Sequence, residues 1–306
     1  MKITNEQVVK LAGELGFELT GFAKAEILEK ETAYLEKWIS EKRQAGMAYM
    51  ERNIDKRRDV NNILPGARSV ISLGLNYYQP GDYSGDSGSG KVSRYAWGKD
   101  YHLVIWEKLD KLAAGMREID PEIEIASYVD TGPVMDKVWA KRAGLGWIGK
   151  HTNLINLNIG SWIFLAAVIT NREFEYNEVI TDHCGSCTRC LDACPTGALT
   201  SEYEIDAGKC ISYLTIENKE EIDPIFKDKF AGFIFGCDIC QDVCPWNKKF
   251  ETETRETSFT PINKEIKFAD AENMTAGEFK TKFKDSPILR AKLKGIQRNA
   301  AFLKGD

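Results

Sequence analysis

Residues 184–197 read CGSCTRCLDACPTG, with four of the chain's eight cysteines inside eleven residues and a proline behind the fourth. The spacing is C-x2-C-x2-C-x3-C-P, in which three thiolates wrap three corners of a 4Fe-4S cube and the fourth reaches a second cube. So short a loop also turns backbone N–H groups toward the sulfurs. Pro195 then carries the chain away and frees Cys194 to point elsewhere.

A partial echo stands at GCDICQDVCPWN, with Cys237, Cys240 and Cys244-Pro245, while Cys210 lies well upstream. A symmetric ferredoxin would place its eighth cysteine just before Cys237, where Gly-Phe-Ile-Phe-Gly stands instead, so Cys210 is assigned as the displaced ligand. Cluster one then uses Cys184, Cys187, Cys190 and Cys244, and cluster two uses Cys194, Cys210, Cys237 and Cys240. Every cysteine is consumed. Structural zinc favours paired C-x2-C units and does not use a triple run closed by C-P.

The 306-residue length suggests about two domains, and 43% hydrophobic with 28% charged residues describes an ordinary folded protein. The opening MKITNEQVVKLAGELG carries no apolar signal region, and the longest apolar run, WIFLAAVIT, is strand-sized. These features place the chain in the cytoplasm, away from membranes, where thiols stay reduced. A net charge of −5 does not advertise nucleic-acid binding, although a global balance can hide a basic patch.

Ahead of the cysteines, strand and helix signals alternate and predict an α/β layered region. Thr4 and Gln7 form a capping-box signal before a helix that Gly16 ends. FELTGFA, SVISLGLNYY, EIASYVD and SWIFLAAVIT read as strands, and helices are expected over ETAYLEKWISEKR, about 103–118, and TGPVMDKVWAKRAGLG. GDYSGDSGSG, residues 81–90, has the composition of a flexible loop. Gly144, Gly146 and Gly149 follow a helix and not a strand, so they read as a helix end and close packing rather than a dinucleotide site.

YVDTGPVMDKVWAKRAGLGWIGKHTNLIN, CGSCTRCLDACPTGAL, CISYLTIE and GCDICQDVCPWN together resemble the epoxyqueuosine reductase family over nearly the whole chain, and LPGARSVISLGLNYY and SRYAWGKDYH fit the same pattern. The resemblance implies an α+β fold: a nitroreductase-like α/β cobalamin-binding domain over 1–176, then a ferredoxin-like domain with two 4Fe-4S clusters over 177–250. A basic tail over 251–306 follows. It implies an oxidoreductase that reduces epoxyqueuosine at the tRNA wobble position to queuosine, drawing electrons from an unidentified donor and acting as a monomer. The family's cobalamin is bound base-off without a histidine ligand. In agreement, none of His102, His151 and His183 lies in a D-x-H-x-x-G motif.

The same resemblance places the catalytic proton donor at Asp130, with an apolar surround of Tyr128 and Trp147 raising its pKa. Read from the residues alone, Asp130 or Thr131 could equally cap a helix beginning near Pro133. The matched motifs put cobalamin contacts at Arg57, Ser93, Arg94, Asp130, Asn153, Leu154, Ile155, Asn156, Ser161, Ser212 and Asp238. His102 is expected to make a core hydrogen bond, and Tyr95 and Trp97 to serve packing.

From Lys280 to Lys304 the tail carries eight Lys/Arg against one Asp, a stripe able to meet tRNA phosphates or merely to aid solubility. It stops where longer family members continue into a HEAT-like domain. Two other readings are open: a dehalogenase-like reductase of the same cofactor class, for which the usual twin-arginine signal is missing, and a non-catalytic electron carrier.

Overall fold

The strand Ser69–Asn76 is buried along its whole length because helices cover both faces of its sheet. In the computed structural model, which describes residues 2–304, it lies second in a four-stranded sheet of order Leu19–Lys24, Ser69–Asn76, Ile163–Thr170, Ile125–Tyr128. Neighbours run antiparallel throughout. The layers expected from the alternating elements are present. Their order along the chain does not set strand direction, which depends on where each long connection re-enters the sheet.

The period of two assigns each residue to a face. Ile71, Leu73, Leu75, Phe164, Ala166 and Val168 pack with Val8 and Ala12 of the helix Asn5–Glu14 and with Val104, Ile105 and Leu109 of the helix Tyr101–Ile119. Val70, Ala167 and Ile169 face the opposite layer, against Leu28 and against Trp139 and Ala140 of the helix Asp136–Arg142. This second helix lies very close to the sheet. A Cβ at Gly21 would come within 2.0 Å of the Ala143 carbonyl oxygen, so only glycine fits there. At the amino terminus Thr4 and Gln7 cap the first helix reciprocally, as their spacing predicted.

A second sheet joins regions that are distant in the chain. Phe233–Phe235 pairs in parallel with Ser89–Val92, and Glu265–Lys267 pairs antiparallel on its other side. Part of the stretch read as a flexible loop is therefore a strand, held because Val92 is buried beside Trp97, Ile234 and Phe235. The tail belongs to the same core: Phe268, Phe279, Phe283, Ile288 and Ile296 complete it. The sheet thus takes one strand from each of the stretches 1–176, 177–250 and 251–306.

Buried polar groups tie the cysteine region to the first sheet. Gln241 Nε2 donates to the Ser161 carbonyl and hydroxyl, each at 3.0 Å, and Asn247 Nδ2 donates to the same hydroxyl at 2.9 Å. Asp238 accepts from the Ser93 hydroxyl and from the Arg94 backbone N–H. Such satisfied networks fix relative placement rather than add much net stability.

Candidate active site

All eight cysteines are free thiols. The short helices Arg189–Asp192 and Ile239–Asp242 carry Cys190 and Cys240 and pack against one another, which is the sequence echo in three dimensions. Cys190 lies within electrostatic reach of Cys184 and Cys244, and Cys244 within reach of Cys187. Cys237 and Cys240 lie within reach of Cys210, and Cys210 within reach of Cys194. Cys240 also reaches Cys190 and Cys194, so the two groups adjoin. Among the described residues no three His, Cys, Asp or Glu converge on a single ion. A cubane instead spreads its thiolates over separate irons and needs a wider cage.

The two groups have different surroundings. Cys184 and Cys244 pack with Trp147, Ile155 and Trp246, the two indoles meeting edge to face at 4.9 Å. Cys237 packs with Ile211, Leu214 and Phe233. Beside Cys210 and Cys240 stands Lys137, whose ammonium also feels Asp130 and Asp136 and is pushed down by desolvation. The second thiol group therefore borders the place where Asp130 sits.

Asp130 lies two residues beyond the strand Ile125–Tyr128, at φ 54°, a backbone conformation uncommon for a non-glycine residue. Gly132 keeps the turn tight, since a Cβ there would strike the Tyr128 ring at 2.1 Å. The following helix begins only at Asp136 and its N-cap position is Met135, so neither Asp130 nor Thr131 caps it. The Asp130 side chain is 65% exposed, yet protein surrounds it on several sides, as on the floor of a cleft. Tyr101 Oη donates to its Oδ2 at 2.7 Å, and His102 Nε2 stands 3.5 Å from the same oxygen.

These neighbours reverse the expected electrostatics. His102 above all holds the Asp130 carboxyl below the usual range, against burial and with help from Tyr101. Trp147 is not part of this surround; it belongs to the wall of the first thiol group. His102 is no ordinary core histidine either. Burial opposes its charge, but Asp100 and Asp130 outweigh burial and push the imidazole up to about 9. Asp136 is pushed up to about 8, by burial first and by Asp130 next. Its Oδ1 and the Nε of Arg57 are buried without a hydrogen-bond partner among the described residues.

Of the residues read from the sequence, Arg57, Asp130 and Asn153 gather here. Arg57 feels Asp136 and Tyr49, and the Asn153 side chain accepts from Lys137 at 2.8 Å. Leu154 and Ile155 are buried strand residues, leaving only their main chain for a ligand. Asn156 spends its amide on the Leu145 carbonyl at 2.6 Å and on the Asn158 N–H. Ser93, Ser161 and Asp238 are likewise committed inside the protein, and Ser212 lies in the helix that begins beside Cys210. Arg94 donates to the Gln79 carbonyl at 2.9 Å and lies over the Trp97 ring. Tyr95 and Trp97 are packing residues, as read. Sequence reasoning missed Tyr49, Tyr101 and Lys137 altogether. Asp100 followed by Tyr101 and His102 was the available signal, because Asp100 caps the helix that presents both rings.

Two thiol groups of the ferredoxin kind, feeding a charged cleft on an α/β sheet, define an iron–sulfur oxidoreductase. The family description "4Fe-4S double cluster binding domain" matches residues 183–247, and "Epoxyqueuosine reductase QueG, DUF1730" matches 57–131. The epoxyqueuosine reductase of Leadbetterella byssophila is 46% identical over 99% of both chains, and that of Synechocystis is 45% identical over 87% of this chain and 92% of its own. Among solved structures, epoxyqueuosine reductase with an epoxyqueuosine-modified tRNA-Tyr stem loop superposes with a TM-score of 0.91 at 33% identity, over 97% of this chain and 80% of its own. The Bacillus subtilis enzyme, described with its catalytic aspartate loop swung out of the active site, superposes equally at 32% identity, over the same shares of the two chains. The chain belongs to the epoxyqueuosine reductase family.

Proposed function

We propose that this chain reduces the epoxide of epoxyqueuosine in tRNA to the alkene of queuosine, with Asp130 as the acid beside the departing oxygen. The observation that carries the reading is Asp130 itself, an exposed carboxylate on a left-handed turn at the floor of a cleft that borders Cys210 and Cys240. The family supports the substrate, and the relative solved with a modified stem loop supports tRNA as its carrier. The Bacillus subtilis relative is described with a catalytic aspartate on a loop, which supports reading the Asp130 turn as the loop of the same role here.

Two 4Fe-4S clusters are assigned to Cys184, Cys187, Cys190 and Cys244, and to Cys194, Cys210, Cys237 and Cys240; the electrostatic neighbourhoods of the thiols support this crossed pairing. The second cofactor of this reading is base-off cobalamin without a histidine ligand. The unpartnered buried Nε of Arg57 suits its phosphate, and Asn153 with the main chain of Leu154, Ile155 and Asn156 suits its amides. Ser93, Arg94, Ser161, Ser212 and Asp238 would hold the surrounding walls. When bound, cobalamin would supply a strongly reducing cobalt centre, and clusters held by these cysteines would supply single electrons from an external donor.

The chain's own part is protonic. Converting an epoxide to an alkene consumes two electrons and two protons and releases water, so the leaving oxygen needs a donor. Asp130 Oδ2 is taken by Tyr101 and faced by His102, leaving Oδ1 for the substrate. On this reading residues 1–176 hold substrate and cobalamin, 177–250 hold the clusters, and 251–306 flank the tRNA, in a cytoplasmic monomer. In the tail Lys282, Arg290 and Lys304 are paired with Asp270, Glu217 and Glu272, and Arg298 clamps backbone carbonyls. Lys280, Lys284, Lys292 and Lys294 are left to meet phosphates. Purified protein loaded with both cofactors and a reductant, given epoxyqueuosine-bearing tRNA, should yield queuosine on nucleoside analysis. No conversion by fully loaded protein would overturn the proposal.

A further inference from the structure

We propose that His102, held by Asp100, is a positioning residue that re-supplies Asp130 with protons through Oδ2 while Oδ1 serves the substrate. This inference rests on the reading of Asp130 as the acid and adds the source of its protons.

The geometry begins with a helix cap. Asp100 Oδ1 accepts the His102 backbone N–H at 2.9 Å, and the same oxygen meets His102 Nδ1 at 2.8 Å. One carboxylate thereby starts the helix Tyr101–Ile119 and fixes both the orientation of the imidazole and the nitrogen that carries its first proton. The ring is further held between Tyr101, stacked at 4.1 Å, and Trp106 at 5.9 Å. So fixed, it turns Nε2 toward Asp130 Oδ2. That nitrogen is buried and, among the described residues, makes no hydrogen bond; 3.5 Å is an ion-pair distance. Contacts of this kind tighten when substrate arrives.

The chemistry requires such a source. Both C–O bonds of the epoxide break, a C=C bond forms, and oxygen leaves as water carrying two protons. A single carboxyl provides one. Asp130 is also held in its anionic form by its neighbours, so its proton must come from elsewhere. His102 is charged at neutral pH under the influence of Asp100 and Asp130 and opposed by burial. The imidazolium passes its Nε2 proton to Oδ2, and the carboxyl so formed turns to give that one proton to the departing oxygen and is a carboxylate again. Neutral His102 is recharged from solvent, and a second round supplies the other proton of the water. Other titratable groups facing this carboxylate, Lys137, Asp136, Tyr49, Tyr95 and Arg290, influence the pair but, among the described residues, donate no hydrogen bond to Asp130.

The test combines titration with kinetics on the cofactor-loaded protein. The chain has three histidines, so ring labelling with 13C resolves His102 readily. Its midpoint should lie near 9 in the unaltered protein. In Asp100→Asn the midpoint should fall by at least one unit, and the alkaline limb of the single-turnover rate should move down with it. His102→Ala should slow single turnover about 100-fold with KM little changed, and added imidazole should restore much of the loss. His102→Gln, checked by full iron content, serves if the alanine variant misfolds. Unchanged turnover in either His102 variant, or an alkaline limb that stays put in Asp100→Asn, overturns the inference. Asp130→Asn separates the two claims: if it keeps full turnover the acid assignment fails, and if it is inactive while the His102 variants are not, only the relay fails.

Discussion

Seven of the eight cysteines come from two short runs, 184–194 and 237–244, whereas the groups around Asp130 come from stretches spread over residues 49–57, 101–102 and 130–137. The cluster cage is built from local loops, each shaped by its own spacing. The cleft exists only where these distant stretches pack together. Scaffold changes should therefore damage the cleft while sparing the cage, and ligand changes should do the reverse.

The largest effects belong to the cage. Cys194→Ser should remove about half the iron and abolish turnover. Adding Cys237→Ser should cost no further iron, since both are assigned to the same cluster, while adding Cys184→Ser should strip nearly all of it. Iron analysis and electron paramagnetic resonance decide the matter; equal losses in the two double variants would break the crossed assignment. A smaller effect is expected at Gly21. Gly21→Ala pushes a methyl into the Ala143 carbonyl and displaces the helix that carries Asp136 and Lys137. We expect about 1–3 kcal/mol of destabilisation in thermal or urea unfolding, with weaker cofactor retention and full iron content. Proportional loss of iron would show that the two regions are not separable. The smallest effect lies in the tail. Lys292→Gln should weaken tRNA binding a few-fold and lower the salt slope by about 1, while Lys304→Gln, whose ammonium is paired with Glu272, should leave that slope unchanged.

The same contrast explains what could be read in advance. Ligand spacing is a local property, so the cysteine runs announced their chemistry, and the strands and helices of the first sheet announced themselves through period and capping. The role proposed for Asp130 came from family resemblance alone, because one aspartate after a strand looks like a cap until the helix is seen to start at Asp136. Its electrostatics were not legible. Trp147 is close to Asp130 in sequence but faces the thiols, while His102, far away in sequence, faces the carboxylate. The tail's charges also misled in part, since Arg298 and Arg290 look like a basic stripe yet brace the Leu214–Glu220 segment. Which charges are spent inside the fold depends on tertiary contacts, and those leave no period in the sequence.

On this reading the cysteine cage supplies the electrons, and Asp130 the proton, for reduction of one and the same epoxide. The most direct test is single turnover of epoxyqueuosine-bearing tRNA by Asp130→Asn, with iron content and the corrinoid spectrum measured on the same sample. Both cofactors should be unaltered and the rate lower by about 100- to 10,000-fold. An unaltered rate with both cofactors in place would contradict it.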